Sequence, residues 1–197
     1  MEQKIIGIIA EYNPFHLGHL YQINELKKEY PNSVLILITN SSFTQRGDVS
    51  MINKWNKTKI ALNNQFDLVI ELPFPYATQS ADIFARGALE ILNSLKINIL
   101  AFGSESNDLK KLTQIAKTQL ENNEYQKKVK EYLKTGINYP TALSKTLKDI
   151  IGYTTKDPND ILGISYIKEI LINNYPITPF LIKRIGDYHG KVTEKNI

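Results

Sequence analysis

Residues 4–23 read KIIGIIAEYNPFHLGHLYQI, and this stretch sets the fold. Lys4 to Ala10 is a near-continuous apolar run that ends in a polar loop, as expected for a strand buried on both faces of a parallel sheet. From Gly18 to Tyr30 the apolar residues Leu20, Ile23 and Leu26 recur at helical spacing, and Ser33 to Thr39 (SVLILIT) is a second buried-strand run. Together they form a right-handed βαβ unit. Working outward, Asp67 to Glu71 (DLVIE) and Ile97 to Phe102 (INILAF) read as third and fourth strands, with helices near Lys54 to Asn64 and Ser80 to Leu95 between them. Asp108 to Ile150 offers no strand, only two or three lysine-rich helices broken at Gly136 and Pro140. Asn159 reads as the N-cap of a helix through Ile172, and Ile177 to Arg184 as a fifth strand whose Pro179 places it near an edge. The expected architecture is α/β, a doubly wound, mostly parallel five-stranded sheet with a helical insertion.

Composition narrows the chemistry. Of 197 residues 42% are hydrophobic and 22% charged, so the chain can build a core of its own. There is no cysteine, which excludes disulfide frameworks, thiolate zinc sites, iron–sulfur clusters and cysteine nucleophiles together. No apolar run approaches the roughly 20 residues of a membrane span, and the N-terminus lacks a signal-peptide core, so a cytoplasmic location is expected. The net charge is +4, and all of the excess lies between Asn107 and Ile150, where nine lysines face five acids. Arg46, Arg86 and Arg184 are the only arginines among 24 basic residues. An arginine kept in a lysine-rich chain marks a place where the planar guanidinium has a use.

The loop after the first strand holds Glu11-Tyr12-Asn13-Pro14-Phe15-His16-Leu17-Gly18-His19. His16 and His19 share one face at the mouth of the first helix. In an open α/β sheet the ligand crevice lies beyond the strand C-termini at this corner, where helix amides and the macrodipole favour an anion. Two imidazoles there add directed donors to phosphate oxygens, Gly18 admits close approach to the backbone, and Pro14 sets the turn. An arbitrary His-x-x-His is more often a surface pair. A metal pair would need a third ligand, and the one remaining histidine is His189, so no metal site is expected. With no Walker A loop and no G-x-G-x-x-G, phosphate has to be held in another way.

His16 to His19 read His-x-Gly-His, which resembles the signature of the nucleotidylyltransferase superfamily. The longer string from Glu11 to His19 is similar to that of the bacterial tRNA(Met) cytidine acetate ligase family. The same family pattern is met at Phe43-Thr44-Gln45-Arg46-Gly47, Asp67 to Pro73 (DLVIELP), Ala101-Phe102-Gly103-Ser104-Glu105, Asn159 to Tyr166 (NDILGISY), and Lys183-Arg184 to Tyr188-His189. Asn40-Ser41-Ser42 stands where that family usually carries a glycine.

The resemblance implies a Rossmann-like sheet of the His-x-Gly-His type and ligation in two steps. Acetate attacks the α-phosphorus of ATP, with Mg2+ accompanying the nucleotide, to give acetyl-adenylate. The acetyl group then passes to N4 of the wobble cytidine of elongator tRNA(Met). His16 and His19 are the implied catalytic residues. Implied ATP contacts run through Gly7, Ile8, Ile9, Ala10, Glu11, Tyr12, Asn13, Pro14, Phe15, His16, Leu17, Gly18, His19 and Leu20, with Gly103, Asn159 and Arg184. The expectation is one domain over 1–197, without the further C-terminal tRNA-binding region of the family. Within the lysine-rich segment Lys127, Lys128 and Lys130 are candidates for RNA contact, with Tyr125, Tyr132 and Tyr139 interleaved; a solvated helix face has the same look. Two other functions fit the residues: a nucleotidylyltransferase acting on a small phosphate ester, and a non-catalytic RNA-binding module.

Overall fold

The computed structural model describes residues 3–184. Its strands are β1 (Ile5–Ile9), β2 (Val34–Thr39), β3 (Leu68–Glu71), β4 (Ile99–Ser104) and β5 (Thr178–Lys183). They form one all-parallel sheet in the order β3-β2-β1-β4-β5. The helices are α1 (Leu17–Glu29), α2 (Lys54–Asn63), α3 (Phe74–Ala77), α4 (Ala81–Ser94), α5 (Leu109–Glu121), α6 (Asn123–Lys134), α7 (Tyr139–Ile151) and α8 (Pro158–Ile172). The chain steps outward from β1 to β3, then crosses to the other side of β1 for β4 and β5. That reversal puts the crevice beyond the C-terminal ends of β1 and β4.

Alternation along the strands divides the core. Ile6, Ile8, Leu35, Leu37, Ile99 and Ala101 pack with Ile23 and Leu26 of α1 and Ala61 of α2. Ile36, Ile38, Leu100 and Phe102 face the other way, against Leu89 of α4, Ile115 of α5 and Ile164 of α8. Both faces are covered, which is why the strands read as unbroken apolar runs. Gly7 faces α4, and a Cβ there would lie 2.8 Å from Leu92 Cδ2. Its bare backbone therefore serves helix-on-sheet packing.

Several boundaries differ from the sequence reading. β4 runs through Ser104, because β5 continues to pair with it at Gly103↔Ile182 and Ser104↔Lys183, so Gly103 lies within the strand. The N-cap of α8 is Asp157 rather than Asn159, with Pro158 in the first turn, where its missing N–H costs nothing. Pro140 likewise sits in the first turn of α7, behind the N-cap Asn138, so it starts a helix instead of breaking one. The short α3 has no counterpart in the sequence reading. β5 is the edge strand expected from Pro179.

The lysine-rich segment forms three helices. α5 packs on α8, while α6 and α7 pack on each other. Tyr125 and Val129 of α6 and Ala142 and Leu147 of α7 are buried in the same core cluster as α4 and α8.

Candidate active site

The site is built where α1 begins. His16 is the N-cap, and its side chain accepts from the Gly18 N–H (3.1 Å) while His19 Nδ1 accepts from the His16 N–H (3.2 Å). This is a capping box made of two histidines in place of Ser/Thr and Glu. The rings stack with centroids 3.7 Å apart and planes 22° from parallel. A Cβ on Gly18 would lie 3.0 Å from His16 Cε1, so the glycine makes room for the capping ring. An Nδ1 that accepts places the proton of a neutral imidazole on Nε2, leaving an N–H donor on each ring for a ligand. Burial and then the charge of Arg184 hold His16 below the ordinary histidine pKa. Burial, His16 and Arg184 push His19 down to about 3. Both rings are neutral donors at pH 7.

Beside them opens a cleft of about 710 Å3. Ile9 to Pro14 form its floor, with His16 and His19, and Thr44, Gln45, Arg46 and Asp48 form one rim. Ala81 and Phe84 of α4, Phe102 and Gly103 of β4, Asn159, Leu162 and Tyr166 of α8, and Arg184 contribute to the wall, with Gln22, Pro158 and Ile161. The structure thus brings Ile9, Ala10, Glu11, Tyr12, Asn13, Pro14, His16, His19, Gly103, Asn159 and Arg184 into one cavity. Gly7, Ile8, Phe15, Leu17, Gly18 and Leu20 do not line it.

Two buried charges hold this cavity in shape. Asp160 is fully buried. It accepts from the Ser104 hydroxyl and from the backbone N–H groups of Glu105 and Ser106, both at 3.2 Å. Glu105 returns the grip: Oε2 accepts from the Asp160 N–H (3.1 Å), Oε1 accepts from Asn159 Nδ2 (2.6 Å), and Arg184 Nε lies 3.7 Å from Oε1. The ends of β4, α8 and β5 are thereby clamped together. A Cβ on Gly103 would stand 3.3 Å from Arg184 Cγ, so the space over that glycine holds the arginine side chain. On the opposite rim the buried Lys57 donates to Asn40 Oδ1 (2.8 Å), and Asn40 Nδ2 donates to Glu11 Oε1 (3.0 Å). The Gln45 N–H also donates to Glu11 Oε1, which pins the 43–49 loop over the cleft.

Asn40, Lys57, Glu105, Asp160 and Tyr166 are among the residues that sequence reasoning did not single out. Glu105, Asp160 and Tyr166 stand inside the family blocks quoted above. Nothing in the sequence distinguishes Lys57 from the other lysines of its helix.

The lysine candidates lie elsewhere, since no residue of α5–α7 lines the cleft. Lys127 and Lys130 are exposed, and Lys128 lies near Glu124 (3.9 Å) and Asp149 (3.8 Å). Tyr125 is in the core, Tyr132 donates its hydroxyl to Asp149 (2.7 Å), and Tyr139 is exposed. His189 and Tyr188 lie outside the described residues. Among the described residues no group of three or more His, Cys, Asp or Glu is placed to hold a metal ion, and no helix is long and apolar enough to cross a membrane.

A doubly wound sheet with a histidine-capped first helix at its switch point defines a nucleotidyl transferase fold, and residues 3–197 match the family model HIGH Nucleotidyl Transferase. The chain belongs to that family. Within it, the chain is 47% identical over 193 residues to the tRNA(Met) cytidine acetate ligase of Mesomycoplasma hyopneumoniae strain J, covering 98% of this chain and 61% of that protein. It is 45% identical to the Mycoplasma mobile ligase of the same name, over 97% of this chain and 64% of the relative. Among solved structures, Thermotoga maritima TmcAL bound with alpha-thio ATP superposes with a TM-score of 0.88 at 36% identity, over 93% of this chain and 47% of that one. The chain therefore spans about three-fifths of the length of these curated relatives.

Proposed function

We propose that this chain is the ATP-binding, acetate-activating part of a tRNA(Met) cytidine acetate ligase. The observation that carries the reading is the stacked, neutral His16–His19 pair, with both Nδ1 atoms committed to the backbone, at the start of α1 beside Arg184. The relatives' names and the nucleotide analogue in the Thermotoga structure support it.

ATP, as its magnesium complex, lies with its phosphates over the N-terminus of α1, where the helix dipole favours negative charge. The Nε2–H groups of His16 and His19 and the Arg184 guanidinium bind phosphate oxygens, and Asn159 and Gly103 flank the nucleoside. One carboxylate oxygen of acetate attacks the α-phosphorus, and the bond from that phosphorus to the pyrophosphate oxygen breaks. The products are acetyl-adenylate and pyrophosphate. In-line displacement of this kind depends on positioning and on donors aimed at the equatorial oxygens, which a rigid neutral pair supplies without reorganisation. N4 of the wobble cytidine in elongator tRNA(Met) then attacks the acyl carbon, AMP departs, and N4 loses one proton. Such a substrate places the work in the cytoplasm, and Lys127, Lys128 and Lys130 are the candidate phosphate contacts on the RNA side.

The test is ATP–pyrophosphate exchange with acetate present and absent. Acetate-dependent exchange is expected, and replacing His16 and His19 together with alanine should lower it, or ATP affinity, at least tenfold, about 1.4 kcal/mol. Exchange driven by a phosphate ester and not by acetate would replace this reading with a general nucleotidylyltransferase. A double variant with unchanged affinity and turnover would remove the histidines from it.

A further inference from the structure

We propose that the α4–α8 side of the cleft is the subsite for a short-chain carboxylate, with the Tyr166 hydroxyl donating to one carboxylate oxygen and Ala81, Phe84, Phe102 and Leu162 enclosing the alkyl end. The inference rests on the acid-activation reading above and says where the acid sits.

The cleft is divided by chemistry. Its β1 and β5 side presents His16, His19 and Arg184, which suit phosphate oxygens. Apart from Asn159 at the start of α8, its α4–α8 side is apolar: Ala81 and Phe84 come from the start of α4, Phe102 from β4, and Leu162 and Tyr166 stand one turn apart on α8. Of these five side chains Tyr166 alone carries a polar atom. Its ring meets Phe102 edge-on at 5.5 Å, it is 1% exposed, and its hydroxyl has no hydrogen-bond partner among the described residues. A buried phenol ordinarily finds one. Burial, and then the charge of Glu11, hold its proton on. The phenol is therefore a donor, and Glu11, whose charge it senses, is itself a cleft residue.

A carboxylate supplies the acceptor that this donor lacks, and a methyl group suits the wall around it. Glu11 would oppose an acid anion, but its carboxylate is held by Asn40 and Gln45, and the ammonium of Lys57 lies on the same Asn40. The walls are braced: Ser165 Oγ donates to Asp82 Oδ1 (2.7 Å), and Lys168 Nζ pairs with the same oxygen (2.7 Å), tying the first turn of α4 to α8. A braced apolar pocket discriminates by size, one methylene altering preference by roughly 10–200-fold. The hydroxyl is sealed from solvent, so the acid reaches it as side chains of the wall part, an adjustment common on binding. With one oxygen on Tyr166, the other forms the bond to the α-phosphorus as the bond to pyrophosphate breaks. The acid arrives as an anion and pyrophosphate leaves as one, so no proton has to move.

The experiment is ATP–pyrophosphate exchange against acetate, propionate and butyrate in the wild-type chain, Tyr166→Phe and Leu162→Ala, with ATP affinity and Tm measured alongside. Wild type should prefer acetate. Tyr166→Phe should raise the acetate KM at least tenfold while ATP affinity stays within twofold and Tm does not fall, because the hydroxyl it removes has no partner. Leu162→Ala should raise the propionate-to-acetate ratio of kcat/KM at least tenfold. Acetate-dependent exchange with an unchanged acetate KM in Tyr166→Phe overturns the subsite alone, as does a loss of ATP affinity in that variant without a change for acetate. ATP binding without exchange on any of the three acids overturns acid activation and the subsite with it.

Discussion

The cleft and the lysine-rich helices both carry charged side chains, and the fold treats them in opposite ways. Asp160 and Lys57 are fully buried, and each is held by several directed partners. Lys127 and Lys130 stand in solvent, and Lys128 makes long pairs with Glu124 and Asp149. A charge out of water is tolerated only when its lone pairs or protons are satisfied, so each buried one dictates the path of the backbone around it. A solvated charge dictates nothing locally and remains free to meet a partner's phosphates. Shape at the cleft and charge on α5–α7 are thus separate properties of one chain.

The contrast should break hardest at Asp160. Asp160→Ala leaves the Ser104 hydroxyl and the N–H groups of Glu105 and Ser106 without their acceptor, and should cost about 3 kcal/mol or more in urea unfolding. A loss below about 1 kcal/mol would show that the buried knot is no more demanding than an ordinary surface site.

Glu105 sharpens the same comparison from within the knot. Glu105→Gln keeps the size but offers one acceptor oxygen where the Asp160 N–H and Asn159 Nδ2 now use two. One hydrogen bond of about 1 kcal/mol is lost and the hold on Arg184 weakens, so the KM for ATP should rise about fivefold, with the acetate KM unchanged. Arg184→Lys should weaken ATP by more than twofold, since an ammonium cannot span the same oxygens. If the two KM values move together, Glu105 is a fold residue and does not position the nucleotide side.

pH probes the histidine pair of the cleft. His19 binds its proton poorly when folded, its pKa pushed down to about 3 from 6.5, so between those values the unfolded chain holds more protons. Its contribution to stability is whole above pH 6.5 and is lost as pH falls towards 3. Urea midpoints at pH 7 and pH 5 should therefore differ more in wild type than in His19→Gln. Equal slopes would mean that the ring is not sequestered.

The smallest effect belongs to the solvated helices. Charge reversal at Lys127, Lys128 and Lys130 should change stability by less than about 1 kcal/mol and leave acetyl-adenylate formation within twofold, while weakening tRNA binding and flattening its salt dependence. A fall in adenylate formation with RNA affinity intact would tie α6 to the cleft and undo the separation.

Much of this was legible in the linear chain because it is local. Apolar runs marked the strands, since strands covered on both faces leave no polar face to interrupt them. The His16-x-Gly18-His19 string marked the capped corner of α1, because a cap is made by residues two or three apart. Arg184 could be singled out because the chain has so few arginines. The tyrosines of 125–139 were ambiguous at the same level: their spacing suits a core face or a stacking surface equally, and packing put Tyr125 inside and left Tyr139 outside.

Tertiary structure decided everything that depends on residues distant in the chain. Asp160 meets Ser104 across 56 positions, Asn40 meets Glu11 across 29, and Lys57 meets Asn40 across 17. No local period encodes such pairs. Burial selects them instead, because once α8 packs on β4 and α2 on β3 the enclosed polar groups must find partners or cost the fold its stability. The strand order had the same origin. Five apolar runs are compatible with several parallel orders, and the one adopted, with β1 between β2 and β4, is what brings the histidine pair, Arg184 and the apolar wall of α4 and α8 around a single cleft.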